Sequence, residues 1–367
     1  MTGPIRMFLC GDVMPGRGID QVLPHPGPPE LREVYVKSAT EYVRLAERKN
    51  GPIPRPVSYD YVWGDALADV DRELPVARII NLETSITASA DFASKAVNYR
   101  MNPANIGVLA AMNVDCCVLS NNHVLDFGVT GLNETLRTLD TAHLRHAGAG
   151  ANTAEATAPA QVPLPDGRRL LVFGFGAASS GIPTGWAAGA ARPGVNLLTT
   201  FSDGEVRNIA QHVHAIRNVG DLLIASIHWG ANWGYDISPE HRRVARALID
   251  IGFDLVHGHS SHHPKGIEIY RDRLVLYGCG DFITDYEGIG SYAEFRPDLS
   301  VAYLPEFAGT GALTGLTMTV YQLRKFRLNS ASSGDSAWIQ QVVGRESASH
   351  GVRIRTTGGN RLLASPG

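Results

Sequence analysis

Side chains able to bind a metal or move a proton recur in this sequence directly after short apolar runs. Gly11-Asp12 follows residues 7–10, and Asn81-Leu82-Glu83 closes the run at 77–82. Ser120-Asn121-Asn122-His123, with Asp126 close behind, follows 115–120. His228-Trp229-Gly230 follows 222–228, Gly258-His259-Ser260-Ser261-His262-His263 follows 255–257, and Gly280-Asp281-Phe282 closes 274–280. Taken singly, each is explained by a satisfied buried polar group or a turn former. As a set they are not, because burying so many carboxylates and imidazoles without a cation costs several kcal/mol. A carboxylate beside an imidazole orients it and raises its basicity, so His123 with Asp126 is one candidate acid–base pair. His259 or His262 with Asp12 or Asp281 is a second.

The elements that must hold these residues alternate. Apolar runs at 7–10, 77–82, 115–120, 170–174, 222–228, 255–257 and 274–280 read as buried strands, and residues 103–112, 131–143, 205–219 and 239–251 carry helical spacing. Ser238 can cap the last helix, with Pro239 and Glu240 suited to its first turn. Strands alternating with helices predict a layered α/β fold, whose strand ends gather ligands at one edge. Arg271-Asp272-Arg273 between two apolar runs predicts a hairpin. Irregular stretches at about 24–64 and 284–311 read as functional loops inserted into one domain spanning 1–330. Residues 331–367 read as a polar extension with one added strand expected at 351–355.

Composition excludes several classes. The chain has 367 residues, 44% of them hydrophobic and 19% charged, which supports a large core and excludes a disordered polyelectrolyte or a coiled coil. A net charge of −3 gives no basic field for nucleic acid. No apolar run reaches the roughly 20 residues of a membrane span, and no leader pattern precedes the first strand, so a soluble cytoplasmic protein without a membrane partner is expected. The four cysteines, Cys10, Cys116, Cys117 and Cys279, lie in apolar runs without zinc-knuckle or disulfide spacing.

The motifs GDVMPGR, NLETSIT, LSNNHVLDFG, IHWG, the GHSSHHPKGIE stretch and YGCGDF, between about residues 7 and 285, resemble the calcineurin-like metallophosphatase superfamily and within it the CapA-like family of poly-γ-glutamate capsule synthesis. The resemblance implies a four-layer α/β/β/α sandwich with a metal site at the sheet edge. It implies Asp12, Glu83, Asn122, His228, His259 and His262 as metal ligands, with His123 as a neighbouring acid–base group. Met14 stands where the phosphatase pattern has histidine, and Glu83 where it has a bridging aspartate. We therefore expect one divalent ion and no organic cofactor. Oxygen donors favour Ca²⁺ or Mn²⁺, with Zn²⁺ or Mg²⁺ as alternatives.

Three reactions compete. Phosphoester hydrolysis normally clamps its oxygens between two metals, which Met14 disfavours. Capsule-type synthesis or peptide hydrolysis is the second. The third is inversion of a Cα centre in a ribosomally made peptide by two-sided His/Asp chemistry, a metal-dependent peptide epimerase resembling those that act on lasso peptides; this is the expected activity. The expected catalytic set is His123, Asp126, Asp12, His259, His262 and Asp281. For a peptide partner, Trp229, Trp233 and Tyr286, with Tyr292, Phe295, Tyr303 and Phe307, would line an apolar pocket. Arg100, Lys95 or Arg296 would hold a terminal carboxylate.

Overall fold

The computed structural model describes residues 4–290 and 292–367. Residues 1–3, and Ser291 within the second expected insertion, lie outside the described residues. In chain order the main strands begin with β1 (Ile5–Val13), β2 (Ala77–Leu82), β3 (Cys116–Val118), β4 (Arg145–Ala147), β5 (Arg169–Ala177), β6 (Leu222–His228) and β7 (Leu255–His259). They continue with β8 (Ile267–Tyr270), β9 (Arg273–Leu276), β10 (Asp281–Ile283), β11 (Leu299–Phe307), β12 (Leu313–Arg324), β13 (Arg327–Ser330), β14 (Val352–Gly358) and β15 (Arg361–Pro366).

Two sheets form. The first runs β14-β15-β12-β11-β1-β2-β3-β4, with β10 paired to β1 and β13 to β12. The second has Leu197–Leu198, then β5-β6-β7-β9-β8, with Ala160–Pro163 added on β5. Strands β1 to β4 are mutually parallel, as are β5, β6, β7 and β9.

Period-2 alternation explains the layers. In β1, Phe8 and Cys10 pack with Val43, Val70 and Leu132 of the helices Thr40–Asn50, Gly64–Glu73 and Gly128–Thr141. Met7 and Leu9 point the other way, into a core shared with Leu170, Val172, Leu222 and Ile224 of the second sheet. Leu171, Phe173, Leu223 and Ala225 face outward onto Val213 and Leu248 of the helices Asp203–Ile216 and Pro239–Asp250. The result is a four-layer α/β/β/α sandwich with three apolar interfaces. As expected, the Ser238 hydroxyl accepts the His241 N–H at 3.0 Å to cap the last of these helices. The hairpin also forms, with Arg271 and Asp272 in left-handed conformation at φ 50° and 57°, the geometry of a two-residue type I′ turn.

Two segments differ from expectation. The stretch at 284–311 is irregular only in its first half, because β11 fills residues 299–307 and lies between β1 and β12. Tyr303 and Phe307 therefore belong to the inter-sheet core and not to a pocket. Beyond residue 331 the chain forms the helix Ser333–Ala348 and the β14–β15 hairpin, which extends the first sheet through β12. Ile339, Val343, Val352, Ile354 and Leu362 join the inter-sheet core, so more than one added strand is present. Among the described residues no helix is long and apolar enough to cross a membrane.

Candidate metal centre

Strand register assembles the site. Asp12, at the carboxyl end of β1, is flanked by Asn81 of β2 on one side and Asp281 of β10 on the other. In the second sheet His228 of β6 lies beside His259 of β7. All these residues are buried.

From the first sheet come oxygens. Asn81 Nδ2 donates to Asp12 Oδ1 at 2.7 Å and to Glu83 Oε2 at 3.0 Å, while Asn121 Nδ2 donates to Asn81 Oδ1 at 3.0 Å. Asp12 Oδ2 and Asp281 Oδ2 are buried without a partner. Burial, and then the nearby Asp281, push the Asp12 carboxyl up to about 7. Burial and Asp12 hold Glu83 well above the usual carboxylate range.

From the second sheet come ring nitrogens. His228 Nδ1 and His259 Nδ1 are 2.8 Å apart, and His228 Nε2 lies 2.9 Å from Asn122 Oδ1 and 3.9 Å from Glu83 Oε1. Burial keeps both rings neutral, well below the usual imidazole range. His262 Nδ1 is 2.9 Å from Asp281 Oδ1. Burial opposes charge on His262, but Asp281 outweighs it and raises its pKa. Potential ligand atoms thus fall into two groups sharing Asp12: with His228 and His259, and with His262 and Asp281. Raised carboxylates, neutral imidazoles and orphaned carboxylate oxygens form a donor set that fits a divalent cation.

His123 closes the oxygen side. Asp126 Oδ2 lies 2.6 Å from its Nδ1 and also accepts the Tyr99 N–H at 2.7 Å, while Asp126 Oδ1 accepts from Lys95 Nζ at 2.6 Å. With that carboxylate accepting, His123 Nδ1 is the donor. Its Nε2 is left as a lone pair, 3.8 Å from Glu83 Oε1. Burial is the main cause that lowers its pKa to about 4.

A family model described as "Bacterial capsule synthesis protein PGA_cap" matches residues 6–286. The chain belongs to this CapA-like family. A probable polyglutamine synthesis accessory protein of Mycobacterium tuberculosis is 46% identical to this PGA_cap chain, over 99% of it and 96% of the relative. The PGA biosynthesis protein CapA of Bacillus subtilis is 27% identical, over 83% of this chain and 68% of its own. Among solved structures, a 5'-nucleotidase precursor from Thermus thermophilus aligns at a TM-score of 0.48 and 13% identity, over 87% of this chain and 54% of that one.

Not every expected residue of the PGA_cap chain reaches the centre. Tyr286 does: its ring meets His262 edge-on at 5.4 Å, and its hydroxyl lies 2.9 Å from that of Tyr99, which donates to it. Trp233 stacks on Tyr292 at 4.2 Å beside His262, and these residues line a pocket of about 150 Å³ with Ile289 and Pro297. Trp229 points away, its indole N–H on the Tyr277 carbonyl at 3.0 Å and its ring stacked on His241. Arg100 donates to the Ser89 and Pro28 carbonyls at 2.6 and 2.8 Å and lies over Phe127, which ties loops together instead of facing substrate. Arg296 is held by Asp298 and Asp335. Lys95 serves Asp126. Met14 is buried, with its sulfur 3.7 Å from the Tyr286 hydroxyl. Sequence reasoning placed Asn81 and Asn121 at strand ends but gave neither a role. The signal was present for Asn81, which lies two residues before Glu83 and so shares its strand face.

Proposed function

We propose that this chain is a metal-dependent hydrolase that cleaves amide bonds in a glutamyl polymer during its synthesis. What carries the reading is Asp12 Oδ2, buried without a partner in a group with His228 and His259, in a centre that also holds the His123–Asp126 pair. The names of two relatives, a probable polyglutamine synthesis accessory protein and a PGA biosynthesis protein, support a polymer of this kind as the substrate class.

Asp12, His228 and His259 would hold one divalent cation, with Asn122 and Glu83 alongside. Such an ion would polarise a scissile carbonyl as a Lewis acid. Its oxygen-rich surroundings favour Mn²⁺ or Ca²⁺ over Zn²⁺ or Mg²⁺. His123 Nε2 takes a proton from the attacking water and returns it to the leaving nitrogen. The carbonyl carbon gains a C–O bond and loses its C–N bond, giving a carboxylate and an amine. Asp126 holds His123 in the tautomer that this requires, and Lys95 and Tyr99 hold Asp126. No organic cofactor is needed. The partner is a peptide-like chain, and the place of work is the cytoplasm.

The test incubates the chain and Mn²⁺ with γ-linked and α-linked glutamyl oligomers and follows their length by mass spectrometry. Shortened oligomers, dependent on the ion and on His123, support the reading. Intact oligomers alongside phosphate release from simple esters would overturn it.

One observation favours a second reading, epimerisation of a peptide Cα. The centre contains two His–Asp pairs, His123–Asp126 and His262–Asp281, each able to handle one proton. One imidazole would remove the α-proton and the other would deliver a proton to the opposite face. Deuterium entering an α-carbon from D₂O with chain length unchanged separates this outcome from hydrolysis.

A further inference from the structure

We infer that Ser226 and His257 are positioning residues that fix the proton of His259, so that its Nδ1 is always presented to the cation centre as a lone pair. The inference rests on the metal-centre reading and is independent of which bond the enzyme acts on.

The chain of hydrogen bonds starts at the Cys10 carbonyl in β1, which can only accept. His257 Nε2 is 2.8 Å from it, so the proton of that neutral ring sits on Nε2. His257 Nδ1 is then a lone pair, and Ser226 Oγ at 2.9 Å must aim its hydrogen there. With that hydrogen committed, Ser226 Oγ can only accept from His259 Nε2, 3.0 Å away. His259 therefore carries its proton on Nε2, and Nδ1 is bare. That nitrogen belongs to the donor group with Asp12 and lies 2.8 Å from His228 Nδ1. In the metal-free chain His228 therefore supplies the hydrogen of that contact from its own Nδ1, with the Asn122 amide turned to donate to His228 Nε2, and a bound cation takes that hydrogen's place.

The opposite direction fails at its first link. A proton on His259 Nδ1 would leave Nε2 as a lone pair and turn the serine hydrogen toward it. His257 would then have to donate from Nδ1 to Ser226, leaving its Nε2 lone pair 2.8 Å from a carbonyl oxygen. Ser226, His257 and His259 have no exposed surface, so water cannot repair such a clash. A carbonyl in the first sheet thus sets the tautomer of an imidazole in the second. Register makes it possible: Ser226 pairs with His257 and His228 with His259, so the -Ser-Ile-His- of β6 and the -His-Gly-His- of β7 present all four polar side chains on one face.

The experiment uses the full chain, stripped of metal. Long-range ¹H–¹⁵N spectra of the wild type should show His259 protonated at Nε2 and bare at Nδ1, and should show a tautomer mixture in Ser226→Ala. Mn²⁺ titration should show Ser226→Ala and His257→Phe each binding roughly 10- to 100-fold more weakly, the range seen when an orienting partner of a metal ligand is lost. The double variant should be no weaker than the worse single, because both break one chain. Ser226→Thr, which keeps the hydroxyl, should bind like wild type. An Nδ1-protonated His259 in the wild type overturns the inference whatever the variants do. So does wild-type affinity in a Ser226→Ala protein that shows the tautomer mixture. Failure of the wild type itself to bind Mn²⁺ or Zn²⁺ would instead overturn the metal-centre reading, and the inference with it.

Discussion

The two sheets bring opposite chemistry to the same edge. The first contributes Asp12, Glu83 and Asp281, where the amide of Asn81 bridges the first two and Asp12 and Asp281 are left with orphaned oxygens. The second contributes His228 and His259, whose polar atoms are nearly all paired through Ser226, His257 and Asn122. One side is carboxylates whose charge burial suppresses until a counter-charge arrives, and the other is oriented ring nitrogens. A cation between them relieves the first and uses the second, which is why neither half alone marks a site.

The largest expected effect tests the oxygen half. Asp12→Asn should abolish tight Mn²⁺ binding, a greater loss than the roughly 10- to 100-fold that follows from removing an orienting partner. The same change should leave the metal-free protein as stable as wild type, or about 1–3 kcal/mol more stable, because it removes a buried carboxylate without a full set of partners. Thermal melts with and without Mn²⁺ check both halves of the statement. If the metal-free variant loses stability as a core truncation does, Asp12 is a structural residue.

His123→Ala comes next, because it removes the proton carrier while leaving every potential ligand in place. Turnover on whichever substrate proves active should fall roughly 10²- to 10⁴-fold, the usual contribution of a general base, with Mn²⁺ affinity unchanged. Asp126→Asn should follow in the same direction, because it removes the acceptor that holds Nδ1–H. A variant that loses the ion together with turnover would move His123 into the ligand set and blur the division between the sheets.

The two tryptophans test the nitrogen half. Trp229 sits in the core behind His228, packed on Phe201, His241 and Tyr277, so Trp229→Ala should cost about 3–5 kcal/mol. Trp233 lines the open pocket by His262, and Trp233→Ala should raise KM with a smaller stability loss, about 0.5–1.5 kcal/mol from the lost stacking on Tyr292. Chemical denaturation and initial rates separate the two. These residues are four apart, and composition alone could not sort them. What sorts them is that Trp229 begins where β6 ends, against the sheet, while Trp233 lies in the loop beyond.

The same distinction runs through what was legible in the sequence. Most strand ends were, because continuous apolar runs followed by Asp, Asn or His are a local signal. Asp281 was not, since the run at 274–280 splits, β9 ending at Leu276 in the second sheet and Asp281 opening β10 beside β1 in the first. Strand β11 was not, since Pro305 within it argues against a strand, yet its neighbours pair with β12 on one side and β1 on the other. The final hairpin was visible only as far as Arg355. Its second strand follows a turn at Gly358-Gly359, both left-handed, and begins again at Arg361 with apolar Leu362 and Ala364 facing in. Arg100 and Arg296 looked free to hold a carboxylate because their partners, the Ser89 and Pro28 carbonyls and Asp335, are supplied by tertiary structure.

The smallest effect is the most discriminating, because the two halves should respond to acid with opposite sign. Asp12 has its pKa raised to about 7 by burial and Asp281, above an unfolded value of about 3.9, so the metal-free fold binds the extra proton. Its contribution is fully present below about pH 3.9 and is lost as pH rises through 7. His241, against Trp229 on the outer face of the second sheet, has its pKa lowered to about 4 by burial and then by Lys265, below an unfolded value of about 6.5. The unfolded chain now binds the extra proton, so this contribution is full above about pH 6.5 and is lost as pH falls toward 4. Because that ring is partly exposed, solvent screening should hold the effect to about 1 kcal/mol. Melts of the chelated protein at pH 7.5 and 5.0 should therefore show His241→Phe gaining on wild type as pH falls. Asp12→Asn should show its advantage at pH 7.5 and lose it at pH 5.0. Parallel shifts in both variants would mean that the buried carboxylate at the edge of the first sheet and the imidazole packed on the outside of the second do not titrate in opposite directions.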